Sequence, residues 1–181
     1  MWKHYFTHNG AKVNIYGVDI DKRCKNFEDE GISIFIGSQE DREFWQKIKK
    51  QIPKVDILID DGGHTMRQQI ITFEEMYDFV KDDGVYLCED LHTSYWKSFG
   101  GGYAKTGGGG GGGNPSFIEY TKHFIDALNA YHATKADDLE VNDFTNSAYS
   151  ITYYDSIIVI EKRKRDTRSI ADAVIGDNKF W

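Results

Sequence analysis

Two cysteines, two prolines and no apolar run of membrane-span length set the first limits on this 181-residue chain. Cys24 and Cys88 are too few for a disulfide framework or a thiolate zinc site. Cys88 falls in an apolar stretch and reads as an inert, buried small residue rather than a nucleophile. There is no signal peptide, and nothing approaches the ~20 apolar residues that a span requires. A reducing cytoplasm, with no membrane partner, is the expected setting. An excess of positive charge is missing too. With a net charge of -7, no overall basic field attracts phosphates, and nucleic acid is not an expected partner. The one basic run, Lys162 to Arg165, follows an apolar stretch and reads as a solvated strand end. No internal repeat is visible. The length, with 40% apolar and 28% charged residues, fits one globular domain with a substantial core.

What the chain does have is concentrated between Val55 and Trp96. Two short runs, Val55 to Ile59 and Gly84 to Cys88, have the length and composition of strands buried on both faces. Between them Ile70, Phe73, Met76, Tyr77 and Val80 keep near-helical spacing. Asp82-Asp83-Gly84 supplies a turn to end that helix. Strand, helix, strand is the pattern of a parallel sheet with a right-handed crossover. Each strand ends in acid: Asp60-Asp61 after the first, Glu89-Asp90 after the second. Ligands of such sheets sit beyond the carboxyl ends of the strands. Carboxylates gathered there repel unless a cation or a proton compensates. One reading is therefore a hard divalent ion held by Asp61 and Asp90, with His64 as a nearby base. The competing reading has these acids capping the next helix and facing water.

Around this stretch the chain continues the alternation. Trp2, Tyr5 and Phe6 suit the last turns of an amphipathic helix. Residues 12–18 form a strand ending in Asp19, placed to accept from ribose hydroxyls, although aspartate also caps helices and Asp21 suits the short helix 22–28. A strand over 32–36 closes in Gly37-Ser38-Gln39, which either lets a ligand approach the backbone or is a plain turn with Ser38 as a cap. A helix over 41–51 stops before Pro53. Seven glycines, Gly107 to Gly113, cannot build a rigid feature and read as a flexible loop tip. Ser116 and Glu119 open a helix running to about His132. Residues 148–154 and 156–161 form an antiparallel hairpin. The polar tail turns helical at 170–175, and the aromatics Phe180 and Trp181 leave self-association open.

The words IYGVDID, IFIGSQED, DILIDDGGHT, YLCEDLHTSYW and ITYYDSIIVIEK together resemble class I S-adenosylmethionine-dependent methyltransferases. Within that class they are similar to the macrocin and mycinamicin sugar O-methyltransferases. The resemblance spans residues 1–162 and implies an α/β fold: a Rossmann-like sheet, mostly parallel, with a C-terminal antiparallel hairpin. A flexible glycine-rich loop at about 100–114 and a tail over 163–181 complete this organisation. It implies S-adenosylmethionine and magnesium, or a similar divalent cation, as cofactors. Asp19 would hold the cofactor ribose, Ser38 and Gln39 would lie near the adenine, and Asp60 would be a further cofactor contact. Asp61 and Asp90 would ligate the metal, with Glu89 a third contact. His64 would be the general base, and Tyr95 and Trp96 would border a sugar-containing small-molecule acceptor. The family's first strand and glycine loop have no counterpart here, so an N-terminally truncated fold is expected. The alternatives are an inactive relative of the same fold and a metal-dependent hydrolase using the same carboxylates.

Overall fold

The computed structural model describes residues 2–8, 10, 12–102, 115–133, 135 and 138–165. The glycine run 107–113, the helix expected over 170–175 and the aromatics Phe180 and Trp181 lie outside them. The chain forms two compact units, Met1–Pro53 and Lys54–Trp181.

In the first unit, helix α1 (Trp2–Thr7) carries a ring cluster in which Trp2 stacks on Phe6 and Tyr5 meets Phe6 edge-on. Strands β1 (Ile15–Asp19) and β2 (Ile32–Ile36) pair in parallel, from Ile15 opposite Ile32 to Asp19 opposite Ile36. Asp21 accepts from the Arg23 amide and opens a 3₁₀ turn, Lys22–Phe27. Helix α2 (Arg42–Lys49) buries Trp45 and Ile48. Its cap is Asp41, which accepts from the Glu43 and Phe44 amides. Ser38 does not cap it; its hydroxyl accepts from the Glu40 amide at 3.3 Å.

The second unit is a four-stranded sheet in the order β3-β4-β6-β5. Strand β3 (Val55–Asp60) is parallel to β4 (Val80–Cys88), connected through helix α3 (Met66–Met76). Helix α4 (Phe117–Asn129) and the short α5 (Asp143–Ser147) precede the hairpin of β5 (Ala148–Tyr154) and β6 (Ile157–Lys162). Both hairpin strands run antiparallel to their neighbours. Ser116 accepts from the Glu119 amide and starts α4 as its sequence requires. No described helix is long and apolar enough to cross a membrane.

Three expectations are corrected here. Asp82-Asp83-Gly84 is not the turn after α3: the helix ends at Met76, a 3₁₀ turn spans Tyr77–Phe79, and β4 already begins at Val80. The acidic triplet sits inside β4 as a bulge, because Val55 pairs with Val80 but Ile57 pairs with Val85. Secondly, β3 is not buried on both faces: Ile57 is 45% and Ile59 38% exposed. Among the described residues it is an edge of this four-stranded sheet, with β4 as its one neighbour. Thirdly, Lys162 departs from the solvated strand end expected of the basic run, although Arg163 and Lys164 after it are exposed as that reading requires. Lys162 is buried, its Nζ donating to the carbonyls of Tyr77 at 2.9 Å and Val80 at 3.0 Å and lying 4.3 Å above the Tyr77 ring. It adds a charged donor to the carbonyls of Tyr77, the C-cap residue of α3, which also accepts from the Val80 amide, and of Val80, the first residue of β4. Burial holds its ammonium below the ordinary lysine range. Arg165 donates to the carbonyls of Leu128 and Thr145.

The core between sheet and helices is aromatic. Phe73 of α3 stacks on Phe124 of α4 at 4.5 Å, Phe124 stacks on Phe144 at 4.7 Å, and Tyr86 of β4 meets Phe73 edge-on. Phe73, Phe117 and Phe124 are buried, whereas Ile125 on α4 stays half exposed and the satisfied hydroxyl of Thr121 is buried.

The bulge gives a direct check on β3–β4 pairing. A Cβ on Gly84 would lie 2.5 Å from the Asp56 carbonyl oxygen, a backbone atom with little room to move. Gly84→Ala is therefore expected to cost about 1–3 kcal/mol, read as a lower urea midpoint at unchanged m-value.

Candidate metal centre

The ends of β3 and β4 are held level. Asp60 is the register partner of Cys88, and the Glu89 amide donates to the Asp60 carbonyl at 2.9 Å, adding one more rung. The chain then leaves both strands in the same region. From β3 it passes through Asp61, two glycines and His64 to Thr65, the cap of α3. From β4 it passes through Glu89 and Asp90 into a 3₁₀ turn, Leu91–Tyr95.

This brings Asp61, His64 and Asp90 together, with one ligand atom of each within 4.8 Å of the others. His64 Nε2 lies 3.4 Å from an Asp90 carboxylate oxygen and 3.9 Å from one of Asp61. Asp61 is exposed, while His64 and Asp90 are half-buried. Glu89 is not in this group. The alternative use of these acids, as helix caps, is not what the structure shows. Thr65 and Gln68 form a complete capping box on α3, and Asp90 makes no side-chain cap bond to the turn it precedes. Neither carboxylate is engaged in backbone capping, so both remain available to a ligand.

The donor set fits a divalent cation. Octahedral magnesium binds oxygen at about 2.0–2.1 Å, so its ligand atoms lie ~3–4 Å apart; the ligand atoms of Asp61, His64 and Asp90 lie within 4.8 Å of one another. Two carboxylates supply hard donors and compensating charge; the imidazole suits a base beside the ion better than a magnesium ligand.

Backbone strain concentrates at this point. Among the described residues, the non-glycine positions with positive φ are His64 at 56°, Asp90 at 54° and Ser156 at 64°. Two of them belong to the cluster, and the third, in the β5–β6 turn, contacts Leu91 and His92 just after it. The Ser156 carbonyl accepts from the Leu91 amide at 3.0 Å, its hydroxyl accepts from the His92 amide at 3.1 Å, and that hydroxyl lies 2.6 Å from His92 Nδ1. His92 Nδ1 is also 3.8 Å from the second Asp90 oxygen, and its ring meets Trp96 edge-on at 4.5 Å. Left-handed conformations in non-glycine residues typically mark sites the surrounding structure must hold in place.

The chain's relatives carry the same theme. No protein-family profile matches. Demethylmacrocin O-methyltransferase of Streptomyces fradiae is 37% identical over 101 residues, 56% of this chain and 24% of that protein. Mycinamicin VI 2''-O-methyltransferase of Micromonospora griseorubida is 26% identical over 170 residues, 94% of this chain and 40% of that protein. The solved structure of the MycE methyltransferase with Mg and SAH superposes with a TM-score of 0.77 at 26% identity, over 96% of this chain and 45% of that one. This chain is a relative of the S-adenosylmethionine-dependent sugar O-methyltransferases. It spans less than half the length of these relatives. Its α/β fold matches that of the methyltransferase it superposes on; among the described strands two neighbouring pairs are parallel and two, both made by the C-terminal hairpin, are antiparallel.

The remaining sequence-predicted residues take varied positions. In the first unit of this sugar O-methyltransferase relative, Asp19 is exposed at the end of β1, one oxygen accepting from the Asp21 amide at 2.8 Å. Its carboxylate also accepts from the Cys24 thiol, which pushes that thiol above its usual range. Gln39 accepts from the Trp45 indole at 3.0 Å through its backbone carbonyl. In the second unit, Asp60 is buried at 5% exposure beside Cys88, under the loop rather than on its surface. Burial drives the Cys88 thiol well above its normal range, in keeping with an inert residue. Tyr95 and Trp96 expose about half their surface, 54% and 49%. Sequence reading overlooked Gln69, a fully buried glutamine whose Nε2 donates to the Glu89 carbonyl at 3.0 Å. A lone amide amid the apolar positions of α3 was the one available signal. His92 was overlooked as well, although it stands within the same acidic motif.

A divalent cation at ~100 times its dissociation constant is expected to add about 2.7 kcal/mol of stability, seen as a raised Tm. Asp61→Asn should remove this response and, by relieving like-charge repulsion, leave the metal-free Tm equal or higher. Melting curves of the wild type that stay flat through magnesium and manganese titrations would rule the ion out.

Proposed function

We propose that this protein is an S-adenosylmethionine-dependent, metal-assisted O-methyltransferase acting on a sugar hydroxyl of a small molecule. The observation that carries the proposal is the Asp61–His64–Asp90 cluster at the carboxyl ends of two parallel strands. It occurs in a chain related to sugar O-methyltransferases, one of which has been solved with Mg, SAH and mycinamycin VI. The methyl donor and the ion supply, when bound, an electrophilic methyl group and Lewis acidity toward the acceptor oxygen.

The chain's own residues account for the rest. Asp61 and Asp90 would hold the ion through hard oxygens, with Glu89, adjacent in sequence, as a third contact. A sugar hydroxyl is a poor nucleophile at neutral pH, so a base within reach of its proton is needed. His64 Nε2 would accept that proton. That nitrogen stands 3.4 Å from an Asp90 carboxylate oxygen, beside the ion that the two carboxylates would hold. The half-exposed faces of Tyr95 and Trp96 offer apolar platforms for a sugar ring, with the hydroxyls left to polar partners. In the first unit, Asp19 would take the donor's ribose hydroxyls, with Ser38 and Gln39 near its base. Asp60, being buried, would act by supporting the loop that carries Asp61. Methyl transfer asks for in-line positioning more than covalent chemistry, which suits a site built from rigid strand ends.

His64→Ala is expected to lower turnover by ~10²–10⁴-fold while S-adenosylhomocysteine affinity, measured by calorimetry, stays within error. Equal losses in both would make His64 a structural residue. Asp61→Ala should abolish magnesium-stimulated transfer to glycosylated acceptors; unchanged stimulation would remove the metal from the mechanism.

A further inference from the structure

Thr93 is 2% exposed and lies in the 3₁₀ turn after Asp90. Its Oγ1 is 2.8 Å from the Asp90 carbonyl and 2.9 Å from the His64 carbonyl, 29 residues upstream. The Asp90 carbonyl is already served by the Thr93 amide at 3.1 Å. The distinct contribution of the hydroxyl proton is therefore to the His64 carbonyl. Both residues it joins have positive φ, a conformation that L side chains hold only when the surroundings impose it. On the Asp90 side the turn is also fastened by Ser156. On the His64 side the capping box fixes Thr65 but not the His64 carbonyl itself. The Thr93 hydroxyl bridges the two fastened segments.

We propose that Thr93 is a positioning residue: its hydroxyl clasps the loop after β3 to the turn after β4 and thereby sets the separation of the Asp61 and Asp90 carboxylates. This rests on the reading of Asp61, His64 and Asp90 as a cation site. Thr93 touches no substrate in this role. It acts through the backbone of the two loops, as outer hydrogen bonds do when they orient metal ligands.

The two branches of threonine separate the hydroxyl from its packing. Thr93→Val keeps the shape and loses the donor; Thr93→Ser keeps the donor and loses a methyl. Manganese binding to the full chain, followed by electron paramagnetic resonance or calorimetry, is the primary readout. Thr93→Val is expected to weaken manganese binding ~10–100-fold, with Thr93→Ser within about threefold of wild type and similar urea midpoints for all three. Wild-type affinity in the valine variant, or a serine variant as weak as the valine one, would overturn the proposal. If the wild type itself takes up no manganese, the cation reading fails on its own. The clasp is then decided by amide hydrogen exchange in the metal-free protein. Segments 61–66 and 89–94 should exchange faster in Thr93→Val than in wild type and Thr93→Ser; equal rates would overturn it.

Discussion

The register between β3 and β4 is the constraint on which the rest of the site depends. Asp60 faces Cys88 and the next amide, Glu89, closes one further rung onto Asp60. Because side chains alternate along a strand, a slip of one residue would turn each set to the opposite face. The carboxylates of Asp61 and Asp90 would then no longer meet at His64. The bulge at residues 81–84 absorbs the extra length of β4 before this register begins, and Gly84 permits the close approach to Asp56 that the bulge requires.

Bringing the carboxylates together has costs that the neighbouring structure offsets. Like charges repel at this range, and two left-handed residues cost about 1–3 kcal/mol each. Four polar contacts from three segments meet here: the capping box of α3 and, from the same helix, Gln69 on the Glu89 carbonyl, the Thr93 hydroxyl, and Ser156 from the β5–β6 turn. The hairpin, far along the chain, thus helps hold the Asp90 turn. Beneath, the aromatic core of Phe73, Tyr86, Phe124 and Phe144 fixes α3 and β4 against each other. A rigid base of this kind suits chemistry that depends on positioning.

Much of this was written locally. Asp21 and Ser116 cap their turn and helix through bonds two or three residues away, the range over which sequence reading is sound. The hairpin at 148–162 follows from two β-rich runs with a two-residue turn between them. The acidic strand ends and His64 could be named because a parallel strand pair places its carboxyl ends together. The errors were long-range. A turn-like Asp-Asp-Gly became a bulge once β4 found its partner in β3. Lys162, the first residue of the basic run, became interior by donating to the carbonyls of Tyr77 and Val80, more than 80 residues earlier, while Arg163 and Lys164 stay exposed.

By itself, then, the sequence determined the order of elements, the parallel unit around Val55–Cys88 and the chemical types gathered at its ends. Those depend on residue period, capping chemistry and composition, all local quantities. Tertiary structure alone decided that β3 is an edge of its sheet, and that Asp61 and Asp90 are not spent on helix caps. It also decided that Thr93, Gln69 and Ser156 hold their loops. Those outcomes rest on hydrogen bonds between residues 20 to 64 positions apart, and no local pattern carries such a pairing.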